Sequence, residues 1–393
     1  MKTKFLGLTI GLLLSLSIYA NHIVGGEMWY TFVSQSGDIY TYSVTVKLFR
    51  DFTSGTVLDN PINIAVYAKG SNTPFDTKVV SQNGLSTLTA TPGPCIINPP
   101  LVSYQVGLYT FSLSLPASQF GYTITWARCC RVGSITNLSS PSSTFGATYT
   151  AEIPGNFSEP TGPVNNSAKF LGIDTVIICA GYPFTYNFGA NDPDDDKLTY
   201  EFCEGYTNTG GTIPNPPAPP PYNSLSYNSP YSGASPMGSS VKIDAASGMI
   251  TGTAPAAGIY VVTVCVKEWR NGVLLATQRK DLQIKVADCD VATVTLEPGG
   301  YINCTNLTMT FSNLSPSALI NNYFWDFGDL STLADTSRSN IPSYRYPDTG
   351  IYTVKVVANR NQPCSDSTTA QVKVFPGFFP DFDITGICMN VPI

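Results

Sequence analysis

Trp325-Asp326-Phe327-Gly328-Asp329, followed by Tyr346-Pro347-Asp348-Thr349-Gly350-Ile351-Tyr352-Thr353-Val354, decides the fold. The first stretch reads as a strand running into a tight turn: Gly328 supplies backbone freedom, and Asp326 and Asp329 are short side chains that cap turn amides. The second reads as a turn feeding a strand, with Tyr352 and Val354 alternating against polar neighbours. The same strand opening stands upstream at Gly258-Ile259-Tyr260-Val261-Val262-Thr263-Val264. Two copies of one device point to a modular β-protein and not to a single enzyme core. Tyr260, just after Gly258, and Tyr352, just after Gly350, are expected to anchor their strands in the manner of a tyrosine corner, ring packed and hydroxyl bonded to backbone. Trp325 is expected in the core; the competing reading, an exposed platform for stacking a sugar ring, has less behind it.

Working outward, the same period-two pattern recurs. Tyr40, Tyr42, Val44, Val46 and Leu48 alternate with Thr41, Ser43, Thr45 and Lys47, and Tyr109, Phe111, Leu113 and Leu115 repeat the motif. Such alternation of β-branched and aromatic residues marks half-buried strands. Asn271-Gly272 between Val261–Trp269 and Val273–Thr277 predicts a two-residue hairpin, because both positions tolerate positive φ. Charged residues make up only 12% of the 393, which leaves little to cover long surface helices. The expected fold class is all-β, built as tandem β-sandwiches that resemble Ig/cadherin-like and PKD domains.

The expected division is a leader at 1–20, an N-terminal all-β domain at 21–160, and an Ig/cadherin-like sandwich at 161–289. A PKD-like domain at 290–376 and the start of a further repeat at 377–393 complete it. The polar stretch Pro154–Ser167 is the expected first boundary. Inside the second domain, Pro214-Asn215-Pro216-Pro217-Ala218-Pro219-Pro220-Pro221-Tyr222-Asn223 reads as a stiff connector laid across the sandwich, with a Tyr-rich recognition loop as the alternative.

Lys2 and Lys4, an apolar run from Phe5 to Ile18 and Tyr19-Ala20 give the order of a secretory signal peptide. The mature chain is therefore expected outside the cytoplasm, secreted or on the outer cell surface. No later stretch reaches the roughly 18 apolar residues of a membrane helix. The formal net charge of −6 repels phosphate backbones, so nucleic acid is not an expected partner. All ten cysteines follow the leader, and none forms a CxxC pair or sits among histidines, so they read as disulfide partners. Cys304 with Cys364 is the expected pair of the last domain. Cys179, Cys203, Cys265 and Cys289 allow three connectivities, with Cys203 to Cys265 favoured because both lie on strands expected to be neighbours.

The sharpest chemical constellation is Asn191-Asp192-Pro193-Asp194-Asp195-Asp196-Lys197. Carboxylates crowded in one turn repel unless solvated or neutralised, and calcium, seeking six to eight hard oxygens, would neutralise them. Asp192, Asp194 and Asp196 are the candidate ligands, with Glu268 as the best distant fourth; the plain alternatives are a solvated acidic turn and an exposed strand glutamate. An EF-hand is excluded, since counting from Asp192 puts Lys197 where Gly is required and Cys203 where the bidentate Glu belongs. Ile23-Val24-Gly25-Gly26-Glu27 copies the activated N-terminus of trypsin-like proteases, but the one histidine, His22, precedes it and no Gly-Asp-Ser-Gly follows. No catalytic residue is assigned.

The Trp325 and Tyr346–Val354 stretches resemble the two fingerprints of a PKD domain, an extracellular β-sandwich module. Over nearly its whole length the chain also resembles the N-terminal region of large secreted surface proteins of gliding bacteria. The carrying segments are His22–Glu27, Lys47-Leu48-Phe49-Arg50-Asp51, Arg128-Cys129-Cys130-Arg131, Asp192–Tyr200, Pro219–Asn223, Ile250-Thr251-Gly252-Thr253 and Val264–Gly272. The resemblance implies export by the type IX pathway and cell-surface or extracellular residence. The expected role is non-catalytic, in adhesion or as a spacer, with an extracellular glycan or surface protein as partner. The alternative is an accessory carbohydrate-binding region of a larger hydrolase. Where that family carries further cysteines this chain has Phe52 and Phe157, which leaves Cys129 or Cys130 as a candidate free thiol.

Overall fold

The computed structural model describes residues 23–377 apart from 92–100, 176, 209–212, 289–291, 316, 318 and 363–364. The expected leader, the expected repeat from residue 378 onward, and Cys95, Cys289, Cys364 and Cys388 lie outside the described residues. Among the described residues the secondary structure is strand throughout, apart from one 3-10 turn at Ser142–Thr144. The described residues through Asp288 form one compact unit and those from Ala292 a second.

The first unit contains β1 (Ile23–Ser36), β2 (Ile39–Asp51), β3 (Ile62–Ala68), β4 (Asp76–Val80), β5 (Gly84–Thr89), β6 (Ser103–Pro116), β7 (Gly121–Arg128) and β8 (Ala147–Pro154). It continues with β9 (Lys169–Phe170), β10 (Ile177–Cys179), β11 (Pro183–Asn187), β12 (Ala190–Asn191), β13 (Lys197–Phe202), β14 (Val241–Ile243), β15 (Met249–Thr253), β16 (Gly258–Arg270) and β17 (Val273–Ala287). Its spine is an eight-stranded sheet in the order β13-β16-β17-β1-β2-β6-β5, with β10 alongside β17. A four-stranded sheet, β4-β3-β7-β8, shares the core on one face; the three-stranded β11-β15-β14 and the pair β12-β9 share the core on the other.

This sheet corrects the expected division at 160. β1 pairs with β2 along its length and, through Gly25 to Glu27, with Leu282 to Lys280 of β17, so strands of both expected domains share one sheet. The reason lies in the alternation itself. Tyr42, Val44, Val46 and Leu48 fill one core, while Phe49 on the opposite face is equally buried in the other. A sheet apolar on both faces needs cover on both, and residues 161–288 supply the second cover. The expected boundary segment instead threads the unit: Ser167 and Asn166 bond the backbone of Tyr30 and Phe32.

Close backbone approach fixes the glycines of β1. A Cβ on Gly25 would meet the Asp281 carbonyl, and one on Gly26 would meet the Tyr149 ring. The β16–β17 hairpin turns at Asn271 and Gly272 with φ of 53° and 80°, as their sequence predicts. The proline-rich segment is laid across β3 and β7: Tyr67 donates to the Pro217 carbonyl, Tyr222 bonds Thr125 and packs at a tilt against Tyr206, and Pro214 and Pro217 are buried. That is the packing of a connector.

The second unit contains β18 (Tyr301–Asn303), β19 (Thr308–Thr310), β20 (Tyr323–Asp326), β21 (Thr336–Ser337), β22 (Ser343–Arg345), β23 (Gly350–Ala358) and β24 (Asp366–Val374). A five-stranded sheet, β18-β24-β23-β20-β21, and the pair β19-β22 enclose Phe311, Trp325, Phe327, Tyr346, Val354, Val356 and Val372.

Candidate functional site

Asp192, Asp194 and Asp196 lie between β12 and β13 with carboxylate oxygens within 4.8 Å of one another. The turn is built by its own first residue, whose Oδ1 accepts from the Asp194 amide at 2.8 Å, and Asp195 takes φ of 58° to complete it. Arg270, last residue of β16, closes the cluster. Its Nε and Nη2 donate to the two oxygens of Asp196 at 2.9 and 2.7 Å, and Nη2 also reaches Asp194 at 3.1 Å and Asn165 Oδ1 at 2.8 Å. A guanidinium fork matched to a carboxylate is among the stronger polar contacts available to a protein. The hydrogen bonds to Asp196, with the charges of Asp196 and Asp194, hold the Arg270 pKa above its ordinary value despite partial burial.

Around this staple the segment from Asn165 to Ala168 is pinned. Asp194 accepts from the Asn166 amide and side chain at 2.7 and 2.6 Å. Glu268, two residues before Arg270, is fully buried; its oxygens accept from the Ala168 amide at 2.8 Å and the Asn165 side chain at 3.0 Å. Burial drives its pKa up to about 8, with the Asp192 charge adding to the rise against the hydrogen bonds that resist it. Burial and the flanking carboxylates likewise push Asp192 up to about 6, and its Oδ2 is buried with no hydrogen-bond partner.

These positions revise the sequence expectation. The three aspartates do come together, but Glu268 is neither an exposed strand residue nor a free ligand, being buried with its two oxygens taken by the Ala168 amide and the Asn165 side chain. Arg270 supplies to Asp194 and Asp196 the positive charge that calcium was expected to bring. The carboxylate donors left for a cation are Asp192 with shared oxygens of Asp194 and Asp196, so calcium there would draw the rest of its six to eight oxygens from backbone carbonyls and water.

Two further ionic groups, which sequence reasoning missed, tie the central sheet. Glu27 stands in register between Lys47 on β2 and Lys280 on β17, at 3.4 and 3.6 Å. Asp174 bridges the same lysines, 2.6 Å from Lys47 and in close contact with Lys280, so two cations and two anions neutralise each other. Burial depresses the Lys47 pKa, and Glu27 and Asp174 more than restore it, to above its ordinary value. Lys280 also faces the rings of Phe170 and Phe188. On the opposite face of β17, Asp281 takes both terminal nitrogens of the fully buried Arg131 at 2.9 and 2.7 Å. The signal was Lys280-Asp281, adjacent residues of opposite charge within one strand, whose side chains must point to opposite faces.

Cys203 and Cys265 form a disulfide with Cα atoms 5.9 Å apart. Cys129 and Cys130 bond to each other across a cis peptide, so neither is the free thiol expected. Cys179 is disulfide-bonded. Cys304 carries a free, exposed thiol in the turn after β18; Cys364, its expected partner, lies outside the described residues. In the second unit Trp325 is fully buried with Nε1 donating to the Ser339 carbonyl at 3.0 Å. Asp326 and Asp329 accept from the Gly328 and Ser331 amides. Tyr260 donates to the Ala256 carbonyl and Tyr352 to the Asp348 carbonyl, each 2.9 Å away and four residues back.

Residues 301–374 match the PKD domain family. No curated protein matches the chain. Among solved structures, the N-terminal four Ig domains of Dscam1 isoform 6.9 are similar over 90% of this chain and 91% of that chain, at 9% identity and a TM-score of 0.19. Dpr11 IG1 bound to DIP-gamma IG+IG2 aligns over 53% of this chain and 99% of its own, at 9% identity and 0.18. A chimeric titin Z1Z2 tandem aligns over 53% and 99%, at 9% and 0.19. At such scores the likeness carries no functional argument; the all-β, tandem-sandwich architecture rests on the strand pairing and the PKD match.

Proposed function

We propose that the chain is a non-catalytic, modular β-sandwich protein of the extracellular space or outer cell surface, acting in adhesion or as a stiff spacer. The observation that carries this reading is where its charged side chains are spent. Arg270 with Asp194 and Asp196, Lys47 and Lys280 with Glu27 and Asp174, and Arg131 with Asp281 each join segments distant in sequence. Groups paired and buried in this way hold strands together and present no nucleophile or base to a cleft. Disulfide formation within the first unit supports an oxidising compartment. No helix among the described residues is long and apolar enough to cross a membrane.

Secretion by the type IX pathway, as the resemblance to surface proteins of gliding bacteria implies, accords with this placement. Calcium is not required for it, since Arg270 already holds the acidic turn. The test is to incubate the purified chain with peptide and glycan panels and with whole bacterial cells and extracellular matrix. Retention on cells or matrix with every panel member intact is expected; turnover of a peptide or glycan would overturn the reading.

A further inference from the structure

The outer face of the second unit carries a polar cleft of about 350 Å³ lined by Asn322, Tyr323, Phe324, Arg338, Arg360 and Asn361. Strand alternation builds it. Trp325 of β20 points into the core, so its neighbour Phe324 points outward. Phe324 lies opposite Val357 of β23, and Arg360 follows at the end of that strand with its guanidinium 3.9 Å from the centre of the Phe324 ring. On the other flank β21 pairs with β20 through Ser337, which places Arg338 at the next step, level with Phe324. Both arginines thus line one cleft with this ring, Arg360 over its face.

Neither arginine makes an ion pair among the described residues, whereas Lys47, Arg131, Arg270 and Lys280 of the first unit each do. Arg338 and Arg360 are both exposed. A stacked guanidinium is held in a fixed plane with its N–H edge free, which suits a carboxylate or sulfate. Asn322 and Asn361 add amide donors and acceptors of the kind that read hydroxyl groups. Other features carry less. The Phe120–Phe157 pair is exposed with nothing to say what covers it, and the acidic turn is already closed by Arg270.

We infer that this cleft binds an acidic glycan, an oxyanion-bearing pyranose whose carboxylate or sulfate meets Arg338 and Arg360 while its ring and hydroxyls lie against Phe324 and the asparagines. Nucleic acid is disfavoured by the net charge of −6. The inference rests on the binding, non-catalytic reading above and adds a ligand class to it.

The test is calorimetric titration of the full chain with oligogalacturonate, its methyl ester, sulfated dextran, polyglutamate and anionic vesicles. Oligogalacturonate or sulfated dextran, or both, should bind, and which one does identifies the oxyanion; the ester should bind at least about tenfold more weakly, as expected for loss of charge-assisted hydrogen bonds. Arg338→Ala and Arg360→Ala should each weaken binding about tenfold with an unchanged melting temperature, and Arg360→Lys should restore part of it. Both side chains are exposed, so folding is not at stake. Equal binding by the ester, unchanged binding by both alanine variants, or preference for polyglutamate or vesicles would each overturn the site. The oligomer is sized after each titration: shortened oligomer would refute the non-catalytic reading, whereas intact, unbound oligomer would refute the site alone.

Discussion

Arg270→Met removes the cation of the acidic turn while keeping most of the aliphatic stem. The structure sets the magnitude. Asp196 is 4% exposed at its side chain and Arg270 16%, so the pair lies nearer the buried limit, where breaking one partner costs roughly 3–5 kcal/mol, than the exposed limit of about 1. About 3 kcal/mol is therefore expected at pH 7, measured as a shift in urea midpoint at constant slope. A loss below about 1 kcal/mol at pH 7 would refute the view that Arg270 neutralises the turn.

Glu268 keeps its proton to about pH 8 in the folded chain, against a reference near 4.5. The wild type should accordingly lose stability as pH rises through that window, at up to about 1.4 kcal/mol per pH unit, and Glu268→Gln should leave only the share of Asp192 below about pH 6; parallel curves would sink the assignment. Melting temperature should move by less than about 1 °C between chelator and millimolar calcium, a stabilisation well under 1 kcal/mol, and a rise of several degrees would show an ion displacing Arg270. The Cys203→Ser/Cys265→Ser double variant opens a loop of 62 residues and should cost about 4 kcal/mol in denaturant titration on chain-entropy grounds; a loss under 1 kcal/mol would place that bond outside the stabilising set. Gly26→Ala drives a methyl into the Tyr149 ring and should cost about 2 kcal/mol by thermal unfolding, with wild-type behaviour counting against the close β1–β8 approach.

Local chemistry was legible wherever a residue type had one good use. Asn271-Gly272 gave its hairpin, Gly258-x-Tyr260 and Gly350-x-Tyr352 their backbone-bonded tyrosines, and Tyr42 to Leu48 a core face. The boundary at 160 was misread because alternation reports the face a strand buries best. It is silent on Phe49 and Lys47, which are also covered from the far side. The acidic turn was found from its aspartates, but its partner arrives through a strand pairing: Lys197 opposite Trp269 sets Arg270 beside the turn. The Glu27, Lys47, Lys280 and Asp174 group depends on three-strand register, which a single sequence does not display. Likewise, Arg338 and Arg360 become neighbours only through their separate alignment on Phe324.

The account turns on residues 23–287 being a single cooperative unit, its two expected halves sharing one central sheet clamped by paired charges. Native-state hydrogen exchange of the intact chain under increasing denaturant tests this most directly. Amides of β1, β2 and β6 should converge with those of β13, β16 and β17 on one opening free energy. Two separate opening free energies, divided between residues 154 and 167, would contradict it.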